Sequence, residues 1–270
     1  MSIKGEERKQ SILQLLHENG RVESASLVKY FNVSFETIRR DLEELEGIGK
    51  LKRMYGGAMR ISEEEVELPH LVRETTHVEE KARIGERAAQ LVQPGDVIFI
   101  DEGTTPVRMI PYLLDLKSLT IVTSSFPTVS LLMDYSNQQR FLGKIIFLGG
   151  EVSSQHARVV GSLSEQWMEQ LYVDKAFVSI DGFDLKLGIT SFGADKATLT
   201  RKVIQHAKVT IVMADASKIN VQAHYRIAEL DKIHYMVCDK FPPAEWVSEL
   251  EAPGVIWLCS DNGRTREDIS

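Results

Sequence analysis

Two sets of residues have types and spacings that could do chemistry. In the first, the run Val33-Ser34-Phe35-Glu36-Thr37-Ile38-Arg39-Arg40-Asp41-Leu42 carries adjacent arginines a few residues ahead of a basic, glycine-containing stretch from Lys50 to Arg60. Cationic side chains on an exposed helix and a neighbouring loop meet phosphate, and arginine placed in a groove also reads base edges. The second set is five short segments: Asp101-Glu102-Gly103-Thr104-Thr105, Thr123-Ser124-Ser125, Gly149-Gly150, Asp181-Gly182 and Asp215-Ala216-Ser217-Lys218. Each follows an apolar run. Backbone N–H groups beside glycine, hydroxyls and an ammonium can together hold a small anion.

The first set needs a helix to present it. Ile38, Leu42 and Leu45 recur at i, i+4 and i+7, so one stripe faces inward while Glu36, Thr37, Arg39, Arg40 and Glu43 point away. Ser34 is placed to cap this helix, and Gly47 lies where a left-handed residue would end it. Upstream, Ala25, Val28 and Phe31 mark a shorter helix, Phe31-Asn32-Val33 is the turn between the two, and Ile12, Leu15 and Leu16 supply a third apolar face. Downstream, Leu51-Lys52-Arg53-Met54 predicts a strand that reverses at Tyr55-Gly56-Gly57-Ala58 to form a wing. Residues 50–60 hold four basic and no acidic residues, against eleven basic and nine acidic in residues 1–60, so positive charge is focused there. An isolated Arg-Arg pair is also what a solvated helix face carries. Helix, turn, helix and basic hairpin in that order point instead to double-stranded DNA.

On Val33-Ser34, Thr37-Ile38-Arg39-Arg40-Asp41-Leu42, Leu45-Glu46, Gly49, Leu51, Arg53 and Gly56-Gly57-Ala58, residues 7–58 resemble the winged helix-turn-helix of DeoR-family bacterial transcriptional regulators. The resemblance implies Ser34, Thr37 and Arg40 in the groove of operator DNA, with Arg39, Lys52, Arg53 and Tyr55 nearer its backbone. Histidine is more usual in that family at the place of Tyr55.

A length of 270 residues with 43% hydrophobic content fits two folded domains. Residues 1–60 sum to a charge of plus two and the remainder to minus nine, so the small basic domain must hold the DNA against repulsion from the large one. The expected organisation is a DNA-binding domain over 1–60, an acidic linker over 61–76 containing Pro69, and an α/β domain over 77–270. Packing of the 68–72 segment on the second domain is an alternative to a free linker. No run reaches 18 apolar residues and the first residues are polar, which predicts a cytoplasmic protein with no membrane partner. Cys238 and Cys259 have no pairing pattern and are expected as buried thiols. The seven histidines show no ligand spacing, so neither metal nor cofactor is expected.

The second set requires strands that end together. Apolar runs at 97–100, 119–122, 145–148, 176–180 and 210–213, extended by 235–238 and 255–258, alternate with helical patterns and predict an α/β fold with a mostly parallel sheet. Ile84, Ala88 and Leu91 mark its opening helix, and Ser162-Leu163-Ser164-Glu165 reads as a capping box. In such sheets ligands bind outside the carboxyl ends of the strands. The candidate effector residues are therefore Asp101, Gly103, Thr104, Thr105, Thr123, Ser124, Gly149, Gly150, Asp181, Asp215 and Lys218. Gly103-Thr104-Thr105 entering a helix at Pro106 could cradle phosphate or be an ordinary turn. Asp101 and Asp181 could cap turns or contact ligand, and Asp215 with Lys218 could be a local ion pair. Trp167 and Tyr172 are expected in the core.

This larger part also resembles the DeoR-family effector domain, on Asp101, Gly103-Thr104-Thr105, Thr123, Gly149-Gly150, Gly161, Gly188-Ile189-Thr190 and Asp215 through Lys218; Thr123-Ser124-Ser125 stands where Thr-Asn-Ser is usual. The resemblance implies a fold related to ribose-5-phosphate isomerase and a phosphorylated sugar or related metabolite as effector. Asp181-Gly182-Phe183-Asp184 and Leu199-Thr200-Arg201 echo that isomerase, but Lys202 stands where its pattern has glutamate. A lysine cannot replace that base at neutral pH without strong desolvation. The resemblance implies a repressor, expected to work as a dimer or tetramer on repeated half-sites, with a sugar-phosphate isomerase-like enzyme as the alternative.

Overall fold

The computed structural model describes residues 3–19, 21–47, 50–54, 56–59 and 67–261. The chain divides into two compact units, Met1–Val72 and Arg73–Ser270.

In the first unit, α1 (Ile3–Asn19), α2 (Ser24–Phe31) and α3 (Phe35–Gly47) enclose Ile12, Leu16, Leu27, Ile38, Leu42 and Leu45. The expected apolar stripe of α3 faces inward, whereas in α2 it is Leu27 that is buried and Ala25 is exposed. Asn32, at φ 48°, makes the turn between α2 and α3, and Ser34 Oγ accepts from Thr37 N at 3.1 Å as the cap of α3. Gly47 does not adopt the expected left-handed conformation; it is the last residue of α3. Asp41 is also buried, because Arg8 of α1 donates to its carboxylate at 2.5 and 3.1 Å. The wing has three strands rather than two. β1 (Arg21–Glu23), which the sequence pattern did not reveal, pairs with β3 (Gly57–Met59), and β3 pairs with β2 (Lys52–Met54).

The second unit opens with α4 (His70–Glu74), whose first residues close the first unit and which falls inside the segment expected as linker; residues 61–66 of that segment lie outside the described residues. Then come α5 (Val78–Ala89), β4 (Val97–Ile100), β5 (Thr120–Thr123), α6 (Phe126–Asn137), β6 (Lys144–Phe147), β7 (Glu151–Ser153), β8 (Arg158–Val160) and α7 (Ser162–Glu169). The chain continues through β9 (Val173–Ser179), β10 (Gly182–Asp184), β11 (Gly188–Ser191), α8 (Ala194–Gln205), β12 (Ala207–Met213), β13 (Tyr225–Ala228), β14 (Tyr235–Cys238), α9 (Val247–Glu251) and β15 (Ile256–Cys259). Every expected apolar run contributes to one seven-stranded sheet of order β15-β14-β12-β9-β4-β5-β6, parallel at each pairing.

Alternate residues of these strands enter two cores, one on each face. Ile98, Ile100, Ile121, Phe177 and Ile211 pack with α5 and α6, while Phe99, Val122, Ala176, Val178 and Val212 pack with α7, α8 and α9. Burial on both faces is why the strands are continuously apolar. The β7–β8 hairpin and the small sheet β10-β11-β13 are additions that periodicity did not disclose.

Two local expectations fail. The N-cap of α7 is Gly161 at φ 91°, so Ser162 is already helical and the predicted capping box does not form; Ser164 Oγ donates instead to Gly149 O at 2.8 Å. Trp167 and Tyr172 are 58% and 76% exposed rather than in the core; the buried residues of α7 are Ser164 and Met168. Cys238 is buried and Cys259 half-buried, both free, and burial pushes the Cys238 thiol up to about 12.

Gly57 sets the spacing of the wing. A Cβ there would lie 2.1 Å from Val22 O, so Gly57→Ala should force β3 off β1 and lower stability by about 1–3 kcal/mol, measured by thermal or urea unfolding of the full chain.

Candidate functional site

Parallel strands all end at the same edge, and the chain leaves β4 in one direction and returns on its other side. It moves outward through β5 and β6, then starts again at β9, which pairs with β4 opposite β5. The carboxyl ends of β4 and β9 therefore flank the switch point, the place where open α/β sheets form a crevice.

Asp101, just after β4, is buried, and its Oδ2 accepts from Ser179 N at 2.9 Å and Ser179 Oγ at 3.0 Å. Burial, then the charge of Glu102, raises its pKa. It thus clamps β4 to β9. Gly103 serves the same junction: a Cβ would lie 2.5 Å from Ser179 Cβ, so the missing side chain admits Ser179. Thr104 and Thr105 are buried, and the turn they occupy leads into a 3-10 helix, Pro106–Tyr112, not an α-helix. Thr123 donates to Ile100 O at 2.7 Å and its hydroxyl accepts from Ser125 N at 3.1 Å. Ser124 is fully buried, and its Oγ has no hydrogen-bond partner among the described residues. Gly150 is filled by packing, with Ser164 Oγ 2.3 Å from where a Cβ would sit, while Gly149 faces open space.

Asp181, just beyond β9, accepts from Ser191 Oγ at 2.8 Å and Phe192 N at 3.1 Å, and lies 3.5 Å from Lys196 Nζ. Burial would raise its pKa, but Lys196, then Arg73 and Lys218, hold it below the ordinary carboxylate range. Asp215 caps the short turn Ala216–Lys218 by accepting from Ser217 N at 3.0 Å. Of the two alternatives for Asp215, the local ion pair with Lys218 does not occur among the described residues; its carboxylate is engaged by Ser217.

Sequence reasoning missed the centre of the edge. Glu102 is buried, with Oε1 2.6 Å from Arg158 Nη1 and 3.5 Å from Lys196 Nζ, and Oε2 3.7 Å from Arg73 Nη2. Those cations, in the order Lys196, Arg158, Arg73, hold its carboxyl low despite burial. Arg158 is delivered by the β7–β8 hairpin, which lies along the end of β5 through Val159 N to Ser124 O at 2.9 Å. Lys196 sits in the first turn of α8 and bridges the ends of β4 and β9. Lys81 of α5 donates to Arg73 O and Thr76 O at 2.7 Å each; burial, together with Lys218, Arg73 and Arg108, lowers it to about 8 although Asp215 pulls the other way. The signal available in the sequence was slight: Glu102 lies inside the Asp101–Thr105 segment, but its cations come from distant positions.

Six cations, Arg73, Lys81, Arg108, Arg158, Lys196 and Lys218, thus act on one another and on Glu102, Asp181 and Asp215. Side chains of this kind are donors that can hold an anion. No group of three His, Cys, Asp or Glu residues able to hold a metal occurs among the described residues.

On α3 the arginines are differently placed. Arg40 is exposed and borders a shallow cleft with Thr37, Asp41 and Glu44. Arg39 is held by Glu36 at 2.8 and 3.0 Å, and Arg53 by Glu43 at 2.9 Å. Exposed pairs of this kind are weakly held, so phosphate can replace the carboxylates. The side chain of Lys52 and all of Tyr55 lie outside the described residues.

Residues 8–64 match the DeoR-like helix-turn-helix domain, and residues 76–240 match the DeoR C terminal sensor domain. The chain belongs to the DeoR family. It is a DNA-binding transcriptional regulator with an α/β sensor domain. It is 30% identical to the HTH-type transcriptional repressor GlcR of Bacillus subtilis (strain 168) over 97% of this chain and 99% of that one. It is likewise 30% identical to the glycerol-3-phosphate regulon repressor of Escherichia coli (strain K12), over 89% and 93%. A ribose 5-phosphate isomerase A from Methanocaldococcus jannaschii superposes with a TM-score of 0.39 at 20% identity, covering 53% of this chain and 55% of that one. The two bacterial relatives are named as repressors, and Lys202 of this chain is ion-paired with Glu169 of α7. No helix among the described residues is long and apolar enough to cross a membrane.

His156, in the β7–β8 turn, is lowered from 6.5 to about 4 by burial and then by Arg158 and Arg73. Because the folded value lies below the unfolded one, stability is intact above pH 6.5 and falls as pH drops toward 4. His156→Gln should flatten the pH dependence of unfolding across that window, read by urea denaturation at stepped pH.

Proposed function

We propose that this chain is a transcriptional repressor whose hold on operator DNA is changed when a phosphorylated sugar or related metabolite binds at the carboxyl edge of the parallel sheet. The observation that carries it is the cluster of cations, Lys81, Arg158 and Lys196 among them buried, that gathers at the switch point beside the Ser124 hydroxyl, which has no hydrogen-bond partner among the described residues. A dianionic phosphate matches such a cluster better than a neutral sugar does. The two repressors that resemble the chain over most of its length, one named for a glycerol-3-phosphate regulon, support the same choice. Effector contacts come from Thr104, Thr105, Ser124, Gly149 and Lys218 with Arg158 and Lys196, while Asp101, Gly103, Gly150 and Asp215 shape the site.

In the first unit, Thr37 and Arg40 enter the major groove and Ser34 fixes the start of α3; Arg39, Lys52, Arg53 and Tyr55 meet the phosphate backbone. One short helix covers only a few base pairs, so pairing of copies as a dimer or tetramer on repeated half-sites gives the needed specificity. The protein acts in the cytoplasm, where DNA and phosphorylated metabolites meet.

Duplexes selected in vitro on the full chain supply the DNA probe. In fluorescence anisotropy, Arg40→Ala should cost about 1–3 kcal/mol on the selected sequence and relax its discrimination, whereas Lys52→Ala should weaken all duplexes alike and reduce the salt slope by about one. Equal binding by both variants and the parent would remove the groove assignment. In a thermal-shift screen, phosphorylated sugars should raise the melting temperature and their unphosphorylated counterparts should not, and Lys218→Ala should abolish the rise while leaving DNA affinity unchanged. A rise with neutral sugars only would contradict the anion site.

A further inference from the structure

Phe35 is the first residue of α3, and its side chain is 59% exposed. The polar side chains beside it are engaged with one another. Ser34 Oγ accepts from Thr37 N at 3.1 Å and lies 2.9 Å from Thr37 Oγ1, while both carboxylate oxygens of Glu36 accept from Arg39. Phe35 takes no part in these pairs and makes no ring contact among the described residues. Tyr30 of α2, also exposed, differs in resting edge-on against Phe31 with ring centroids 4.9 Å apart. The helix gains nothing from the Phe35 ring, because an aromatic side chain in the first turn satisfies no free N–H and loses rotamer freedom. Its apolar surface is left in water at the end of α3 that leads into the groove in helix-turn-helix binding.

The chemistry of the ring selects what it meets there. Phenylalanine has neither donor nor acceptor, so it cannot pair with the hydrogen-bonding atoms of base edges or with phosphate oxygens. Among the groups that base pairs present in the major groove, the one methyl is the 5-methyl of thymine. We propose that Phe35 is a specificity-determining residue that packs on the 5-methyl group of a thymine at the leading end of α3 in each half-site, beside the base edge read by Arg40. Methyl and ring shield each other from water, an effect of about fourfold in affinity for one methyl group. The contact involves no charge, so it adds discrimination without adding to the salt-dependent hold on phosphate.

The proposal rests on α3 entering the major groove, and the test separates the two. The full chain is titrated by fluorescence anisotropy with the duplexes selected in vitro and with copies in which each thymine in turn is replaced by deoxyuridine, a change that removes only the methyl group. At one thymine per half-site, deoxyuridine should weaken binding of the parent chain by roughly threefold to tenfold. Phe35→Ala should bind the thymine duplex more weakly by a similar factor, show no difference between thymine and deoxyuridine at that place, and keep the parent's dependence on salt. Phe35→Leu, which retains an apolar tip, should keep part of the difference. A parent chain indifferent to deoxyuridine at every thymine, a Phe35→Ala protein that still tells the two apart, or one whose salt dependence is flattened would each overturn the thymine contact. In those cases a loss of discrimination in Arg40→Ala leaves the groove assignment standing. Arg40→Ala binding every duplex as the parent does, together with indifference to deoxyuridine, would remove both.

Discussion

A buried carboxylate is costly unless charges and donors surround it, and the sensor domain is arranged around one that is surrounded. Glu102 can lose water only because Arg158, Lys196 and Arg73 approach it from a hairpin, a helix and the segment leading in from the first unit. Removing one of them would weaken the hold on a buried carboxylate, so these elements hold their places jointly. The parallel sheet makes such convergence possible: strands running one way deliver every loop to one edge, and the reversal of strand order at β4 leaves room between the ends of β4 and β9. Asp101 and Gly103, which look from their types like ligand contacts, are consumed in closing that junction against Ser179.

Charge is managed by similar pairing in the first unit, with a different outcome at the surface. Arg8 and Asp41 form a partly buried bidentate pair that fixes α1 against α3, whereas Arg39 and Arg53 are held by exposed glutamates that solvent screens. The first is structural and durable. The second keeps basic side chains extended along α3 and the wing while leaving them free to exchange a carboxylate for a phosphate. With a net charge of minus seven for the whole chain, such local focusing is what lets a small domain approach a polyanion at all.

Period and propensity made much of this legible. Each of the seven apolar runs became a strand of the parallel sheet, because residues buried on both faces must be apolar throughout. The stripe Ile38, Leu42, Leu45 and the cap at Ser34 behave as spacing predicts, and the likeness of both domains to the DeoR family holds over residues 8–64 and 76–240. Short elements escaped: β1 has three residues, its close approach to β3 is permitted by Gly57, and the β7–β8 hairpin has too few residues to show a period. Trp167 was misjudged because size and apolarity do not say which side of a helix meets the core when Met168 is next to it.

By itself, then, the sequence determined the two domains, the class of each fold, the helix that carries Arg39 and Arg40, and the edge at which small polar residues would gather, since all of these follow from local patterns along the chain. Tertiary structure alone decided the contents of the site. Glu102, Arg73, Arg158 and Lys196 are separated by 29, 56 and 94 positions from Glu102 outward in the chain, and no local rule relates them. They meet because the topology ends β4 and β9 side by side, where desolvation leaves each charge dependent on the others.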